Sequence, residues 1–126
     1  MRCVVIGSKE LGCVIVDELV RQKHSIPLVI TRDDSPGMAL WHKMGHRSLK
    51  EVATRHGLNV LEGVKVNDDT TLNAIREARP DLILSCFWSD LFKSEILMIP
   101  SRGVFNFHTA FLPKNRGSRP IPWAMI

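Results

Sequence analysis

Short apolar runs alternate with helix-like amphipathic segments along this 126-residue chain, and that alternation limits the fold more than any other feature. Residues 2–6 form an almost continuous apolar run, which is typical of a strand buried on both faces of a parallel sheet. A helical period of apolar residues follows to about Lys23, and residues 25–31 resemble a second strand. Strand, helix and strand within about 30 residues make a βαβ unit, whose crossover we expect to be right-handed.

The alternation continues to the end of the sequence. Ser48 is a predicted N-cap with Glu51 three residues later, and this capping box begins a helix that runs to about His56 and ends at Gly57. The other predicted elements are a strand at 58–61, a helix from 68 or 69 to Pro80, a strand at 81–87, a short helix at 95–98, a strand at 103–108 and a helix from 120. This order predicts one domain over residues 1–126, an α/β fold with a Rossmann-like, doubly wound, mostly parallel sheet.

Composition excludes few functions. The hydrophobic content of 44%, the charged content of 24% and the net charge of +4 suit a globular protein that binds an anionic small ligand or nucleic acid. No apolar run approaches the roughly 20 residues that a membrane span needs, so we expect no membrane partner and a cytoplasmic location. Cys3, Cys13 and Cys86 lie in apolar surroundings and are predicted buried free thiols. Without a CxxC pair, no thiolate metal site is expected.

Two loops leave alternatives open. The turn at 7–12 is neither GxGxxG nor a Walker loop, so it is either a plain strand-to-helix turn that needs glycine or a turn that lines a ligand. Residues 31–47 are expected to be irregular. His42 and His46 have the spacing of a zinc helix, but Lys43 stands where that motif has Glu, which favours a surface loop over a metal site. Trp41 either shields a ligand or packs this loop down.

The strand at 103–108 carries the most informative polar pair. Side chains alternate along a strand, so Asn106 and His108 project together from one face, at the end where ligands bind in open α/β sheets. An amide could donate to a carbonyl oxygen that becomes an oxyanion, and an imidazole could do the same or shuttle a proton. The basic side chains of Lys114, Arg116 and Arg119 would favour an anionic substrate. The pair alone is more often structural than catalytic.

The longer stretch, FNFHTAFLPKNRGSRP at 105–120, changes that balance. It resembles the 10-formyltetrahydrofolate-dependent formyltransferases, whose pattern of Asn-x-His, Leu-Pro and Arg-Gly is met at Asn106, His108, 112–113 and 116–117. The likeness extends to residues 5–12, 48–50 and 81–91. The resemblance implies the formyltransferase fold and formyl transfer from that folate to a primary amine, without a metal.

The resemblance also assigns site residues. It implies that Asn106 and His108 are catalytic and polarise the formyl oxygen. It implies that the pterin is held mainly by backbone groups of Phe87, Trp88, Ser89, Leu91, Ala110, Phe111, Leu112 and Pro113. It implies that the substrate is bound by Lys114, Arg116 and Gly117.

The acceptor is less constrained. The stretch from Asn115 to Gly117 looks more like the nucleotide-sugar N-formyltransferases, which favours an amino sugar on a nucleotide carrier over tRNA. The alternatives are a methionyl-tRNA formyltransferase, a glycinamide ribonucleotide transformylase-like enzyme, and an inactive binding or assembly module. A plain nucleotide-binding domain is disfavoured because both glycine motifs are absent.

One departure from the family pattern limits the expected activity. Members carry a catalytic Asp on a later loop, and the printed sequence ends at Ile126, before that region. We therefore expect a domain that lacks its C-terminal part, with impaired turnover. A truncated piece, a shortened reading frame, and a complementing C-terminal chain that supplies the rest are the alternative explanations. The exposed edge of the last strand is a dimerisation liability, so a homodimer is a further expected partner.

Overall fold

The computed structural model describes residues 1–32 and 36–108, and this part of the chain alternates strands and helices. The strands are β1 (Arg2–Gly7), β2 (Ser25–Thr31), β3 (Val60–Glu62), β4 (Leu82–Cys86) and β5 (Val104–Phe107). The helices are α1 (Lys9–Arg21), α2 (Pro36–Lys43), α3 (Leu49–Arg55), α4 (Asp69–Ala78) and α5 (Ser94–Leu97). The predicted helix from residue 120 lies outside the described residues.

All five strands form one parallel sheet in the order β3-β2-β1-β4-β5. Strand β1 lies in the middle of the sheet. The chain adds β2 and β3 on one side of it and then crosses over to add β4 and β5 on the other side. Helices α1 and α3 pack on one face against Val5 and Val29, while α4 and α5 pack on the other against Ile6 and Ile83. The predicted doubly wound α/β fold is therefore confirmed.

Strand boundaries agree with the sequence pattern to within two residues, and local signals explain the helix ends. The Ser48 hydroxyl accepts a hydrogen bond from the Glu51 backbone N–H at 3.2 Å, as the predicted N-cap requires. Helix α4 ends at Ala78, and its C-cap Arg79 has φ 48°, directly before Pro80. Cys3, Cys13 and Cys86 are fully buried, as predicted.

The prediction that residues 31–47 are irregular is wrong, because α2 spans much of this segment. Pro36 and Gly37 resemble helix breakers, but proline fits the first turn of a helix, where its missing N–H is not needed. The helix ends near Gly45, which has φ 88°. The structure thus places a second helical segment between β2 and α3.

Two glycines near the end of β1 are required by packing. A Cβ on Gly7 would lie 2.4 Å from the Cys86 sulfur and 2.8 Å from the Cys86 carbonyl oxygen. A Cβ on Gly12 would lie 2.8 Å from a methyl group of Leu49. Of the two interpretations of this turn, the structural one accounts for both glycines. The turn itself is short, because α1 already begins at Lys9.

Strand β5 has only one strand neighbour within residues 1–32 and 36–108. Phe105 and Phe107 are half exposed on the face of the sheet that carries α1 and α3. No helix in the described ranges is long and apolar enough to cross a membrane.

Replacing Gly7 with alanine should lower the free energy of unfolding by about 1–3 kcal/mol, because the added methyl group overlaps backbone and sulfur atoms of Cys86. Gly37→Ala is the matched control, since it sits in a helix and its added Cβ would meet no described residue beyond that helix and its chain neighbours within 4 Å. The control should be neutral or stabilising by up to about 1 kcal/mol. Urea unfolding followed by circular dichroism measures both. Equal effects would contradict the packing argument.

Candidate functional site

The carboxyl ends of all five strands align side by side. Register pairs join the five terminal strand residues in a row: Glu62, Thr31, Gly7, Cys86 and Phe107. The next residues along the chain therefore share one edge of the sheet: Arg32, Ser8, Phe87 and His108. In open α/β sheets this edge, near the point where strand order reverses, is where ligands bind.

Asn106 and His108 lie at this edge, on β5 and directly after it. Asn106 is the register partner of Ser85, and it follows Val104 on the face of the sheet that carries α4 and α5. Its amide is exposed and has no hydrogen-bond partner in the part of the chain that the structure describes. His108 is half-buried directly beyond the strand. The structure thus brings both predicted catalytic residues to the carboxyl end of β5.

The segment that follows β4 carries the predicted pterin-binding residues Phe87, Trp88, Ser89 and Leu91. It has no regular secondary structure before α5 begins at Ser94. Because β4 and β5 are adjacent and parallel, this segment begins beside His108. The other predicted binding residues lie outside the described residues: Ala110, Phe111, Leu112, Pro113, Lys114, Arg116 and Gly117.

Asn67, which the sequence analysis did not single out, fixes the far end of this segment. Its side-chain amide donates to the Leu91 carbonyl at 2.8 Å and accepts from the Lys93 backbone N–H at 2.9 Å. At the near end, the Ser8 hydroxyl donates to the Phe87 carbonyl at 3.2 Å. Side chains from two other parts of the chain therefore hold the segment at both ends.

Arg32 is a second residue that the sequence analysis missed. Its guanidinium carbon lies 4.1 Å from the centre of the Trp88 ring, and its nitrogens donate to the Ser89 hydroxyl and the Asp90 carboxylate. The sequence contained one signal that could have identified Arg32: it directly follows an apolar strand, at a predicted ligand-binding edge. The partners lie 57 and 58 residues further along the chain, beyond any local pattern.

Lys9 joins α1 to two aromatic rings at the same edge. Its ammonium lies 4.6 Å from the centre of the Trp41 ring and 4.9 Å from that of Phe87. Trp41 also contacts the His46 ring at 4.7 Å between centres. These contacts support the packing interpretation of Trp41, because they hold α2 and the residues after it against the edge.

Two of the four described non-glycine residues with positive φ lie at this edge. Lys9 and Phe87 have φ values of 63° and 49°, in the left-handed region that ordinary side chains disfavour. Each such residue costs about 1–3 kcal/mol and persists only when its surroundings hold it there. Both residues follow the ends of neighbouring strands and contact each other, so the strain coincides with the candidate site.

Arg47 anchors the end of the α2 segment to α1. Its guanidinium donates to Glu10 at 2.8 Å and to Asp17 at 2.6 Å, and His56 contacts the second Asp17 oxygen at 3.0 Å. The hydrogen bonds from Arg47 lower the pKa values of Glu10 and Asp17 below their ordinary values, although burial acts in the opposite direction.

Two further features lie apart from this edge. An open cavity of about 630 Å³ is lined by residues that include Arg76, Arg79, Asp81 and Ser101. Asp81 and Ser101 precede β4 and β5, so this cavity is at the amino edge of the sheet and contains no predicted site residue. Within residues 1–32 and 36–108, no three His, Cys, Asp or Glu side chains lie together in a way that could hold a metal ion.

These features define a doubly wound α/β protein with a polar, strained and partly preorganised edge at the carboxyl ends of its strands. The sequence matches the family model described as formyl transferase over residues 1–126. The chain therefore belongs to the formyl transferase family, as the resemblance had indicated.

Individual proteins that resemble this chain in sequence or fold are also named formyltransferases. The methionyl-tRNA formyltransferase of Acetivibrio thermocellus is 35% identical over 126 residues, and that of Geotalea daltonii is 32% identical over 130. The chain spans 40% of the length of each relative. The phosphoribosylglycinamide formyltransferase structure from Bacillus halodurans matches with a TM-score of 0.73 at 15% identity, over 99% of this chain and 64% of that one. That likeness shows the fold.

Replacing Arg47 with glutamine tests its anchoring role. A carboxylate whose folded-state pKa is lowered stabilises the fold above its unfolded pKa, and that contribution is lost as pH falls through the folded value. For Glu10 and Asp17 the ordinary values are 4.5 and 3.8. The variant should lose about 1 kcal/mol of stability at pH 7, a small figure because the ion pairs are solvent-exposed. The difference from wild type should shrink below pH 4.

The control for this measurement is Arg21→Gln, which removes an exposed ion pair with Glu18 within α1 and leaves the α2 segment untouched. Stability curves between pH 2 and pH 7 are compared for both variants. Hydrogen exchange should quicken over α2 in the Arg47 variant alone. The same exchange change in the control, or none in either variant, would contradict the anchoring role.

Proposed function

We propose that this chain carries the carbonyl-activating part of an enzyme that transfers a formyl group from 10-formyltetrahydrofolate to a primary amine. One observation carries the proposal: Asn106 on β5 and His108 directly after it both lie at the carboxyl end of this strand, beside the held segment after β4. Family membership supports the same chemistry. The whole enzyme's activity and substrates are part of this proposal.

The roles of the two side chains follow from the reaction. The amine nitrogen forms a bond to the formyl carbon, and the carbonyl electron pair moves onto oxygen. The Asn106 amide donates to that oxyanion. When the carbonyl re-forms, the bond between the formyl carbon and the folate nitrogen breaks. His108 takes the proton that the amine loses and returns it to the folate nitrogen, since imidazole exchanges protons near neutral pH.

Folate binding is proposed at Phe87, Trp88, Ser89 and Leu91. In the described part of the chain, the backbone groups of residues 88–90 have no hydrogen-bond partners, and residues 89 and 90 are exposed, so these groups are accessible to a ligand. A pterin edge carries donors and acceptors that suit such groups. The roles of Ala110, Phe111, Leu112 and Pro113 in the same site remain predictions.

For the acceptor, we place methionyl-tRNA first. The curated relatives bear that activity in their names and align with the whole of this chain. This ranking reverses the order from the sequence analysis, which favoured a nucleotide-linked amino sugar. The sugar remains the second candidate because of the stretch from Asn115 to Gly117, with Lys114 and Arg116 as proposed anion contacts. A cytoplasmic location and a homodimeric or complementing partner remain predictions.

Asn106→Ala should lower kcat by roughly 10²–10³-fold, because the oxyanion loses one donor. His108→Gln should lower it by roughly 10²–10⁴-fold, because proton transfer is lost. Formyl transfer by the full-length protein is measured at saturating folate. Asn73→Ala and His24→Gln are the controls, since Asn73 lies on α4 and His24 precedes β2 at the opposite edge. Retained activity in the Asn106 and His108 variants would refute these roles.

A side-by-side acceptor assay separates the two candidates. The full-length protein is given 10-formyltetrahydrofolate with either methionyl-tRNA or a dTDP- or UDP-linked amino sugar, and the formylated product is quantified by mass spectrometry. We expect kcat/KM for methionyl-tRNA to exceed that for the sugars by at least about tenfold, since recognition of a large acceptor adds transition-state binding. The reverse order would establish the sugar as acceptor.

A further inference from the structure

We propose that Arg32 is a positioning residue for folate: its guanidinium fixes Trp88, Ser89 and Asp90 so that their backbone can meet the pterin. This inference rests on the proposed function. It adds a residue that belongs to neither the catalytic pair nor the predicted binding segment.

The contacts of Arg32 are concentrated on three consecutive residues. The flat guanidinium lies over the Trp88 ring, one nitrogen donates to the Ser89 hydroxyl at 2.5 Å, and another donates to the Asp90 carboxylate. A planar, forked donor group can make all three contacts at once. A lysine ammonium is a point charge and cannot combine the stacking with the two directed hydrogen bonds.

The sheet topology explains why a long side chain is needed. Strand β1 lies between β2 and β4, so Arg32 must reach across the carboxyl end of β1 to the segment after β4. Neighbouring strands are about 4.8 Å apart, which makes the crossing about 10 Å. The two residues it passes over, Gly7 and Ser8, are small. The Ser8 hydroxyl is engaged with the Phe87 carbonyl, on the same segment.

The backbone of residues 88–90 does not hold itself in place. Ser8 fixes the Phe87 carbonyl and Asn67 fixes the segment beyond Leu91, but no backbone hydrogen bond to the described residues holds the three residues between. The buried indole N–H of Trp88 is also unpaired within residues 1–32 and 36–108. Arg32 therefore supplies the polar contacts that fix this stretch, and they leave its backbone groups available to a ligand.

If Arg32 only stabilised the fold, its replacement would lower the melting temperature. Arg32 and Asp90 are 31% and 41% exposed, and ion pairs at that exposure add little to global stability. Removing the contacts should therefore leave the fold intact while loosening the binding segment. In a variant that lacks these contacts, the affinity for folate should fall while the stability of the protein stays the same.

The test compares Arg32→Lys with the wild type and with Arg21→Lys in the full-length protein. The control makes the same substitution in an arginine that also pairs with a carboxylate, far from the site. Calorimetry with 5-formyltetrahydrofolate gives the dissociation constant, and thermal unfolding gives the stability. For Arg32→Lys we expect binding to weaken by roughly ten- to a hundredfold, with an unchanged melting temperature. The control should match the wild type.

Kinetics provide a second readout. At saturating folate the kcat of Arg32→Lys should stay close to that of the wild type, while KM for the folate rises. Asp90→Asn, which keeps the shape of its partner but removes the charge, should raise KM by a smaller factor.

Each other outcome is decisive. A wild type that does not bind the folate overturns the proposed function and this inference with it. Wild-type binding with unchanged affinity in Arg32→Lys overturns the inference alone. A fall in melting temperature that accounts for the lost affinity would assign Arg32 to the fold and also overturn it.

Discussion

The close contact between Gly7 and Cys86 is the constraint on which the carboxyl edge depends. Strand β1 is central in the sheet, and its last residue touches the last residue of β4 with no room for a side chain. With β1 and β4 this close, the last residues of all five strands pair in one row. The residues that follow each strand are then brought together, although they are distant in sequence. The candidate site is a consequence of that alignment.

Around this row, the protein holds irregular backbone with side chains. Arg32, Asn67 and Ser8 hold the segment after β4, Lys9 bridges the rings of Trp41 and Phe87, and Arg47 ties the end of the α2 segment to α1. Individually these exposed polar contacts are weak. Together they keep two strained residues in place, which is how preorganised sites are built.

The sequence predicted the features that depend on local periodicity. The apolar runs located the strands, and Ser48 with Glu51 located the start of α3. Helix α2 was missed because Pro36 and Gly37 resemble breakers, although proline suits a first turn. The contacts of Arg32 and Asn67 could not be predicted, because they join residues separated by two or more secondary-structure elements. The spacing of Asn106 and His108 predicted a shared face, and the resemblance of residues 105–120 to the formyltransferases suggested their roles, whereas their neighbours in space could be identified only from the sheet order.

We propose that the carboxyl edge binds the folate. Hydrogen–deuterium exchange with and without 5-formyltetrahydrofolate, read by peptide in the full-length protein, tests it most directly. We expect slower exchange over residues 87–92 when the folate is bound, because the unpaired backbone groups of residues 88–90 gain partners. Residues 76–81, beside the cavity at the amino edge, should be unchanged. Protection at 76–81 without protection at 87–92 would contradict the account.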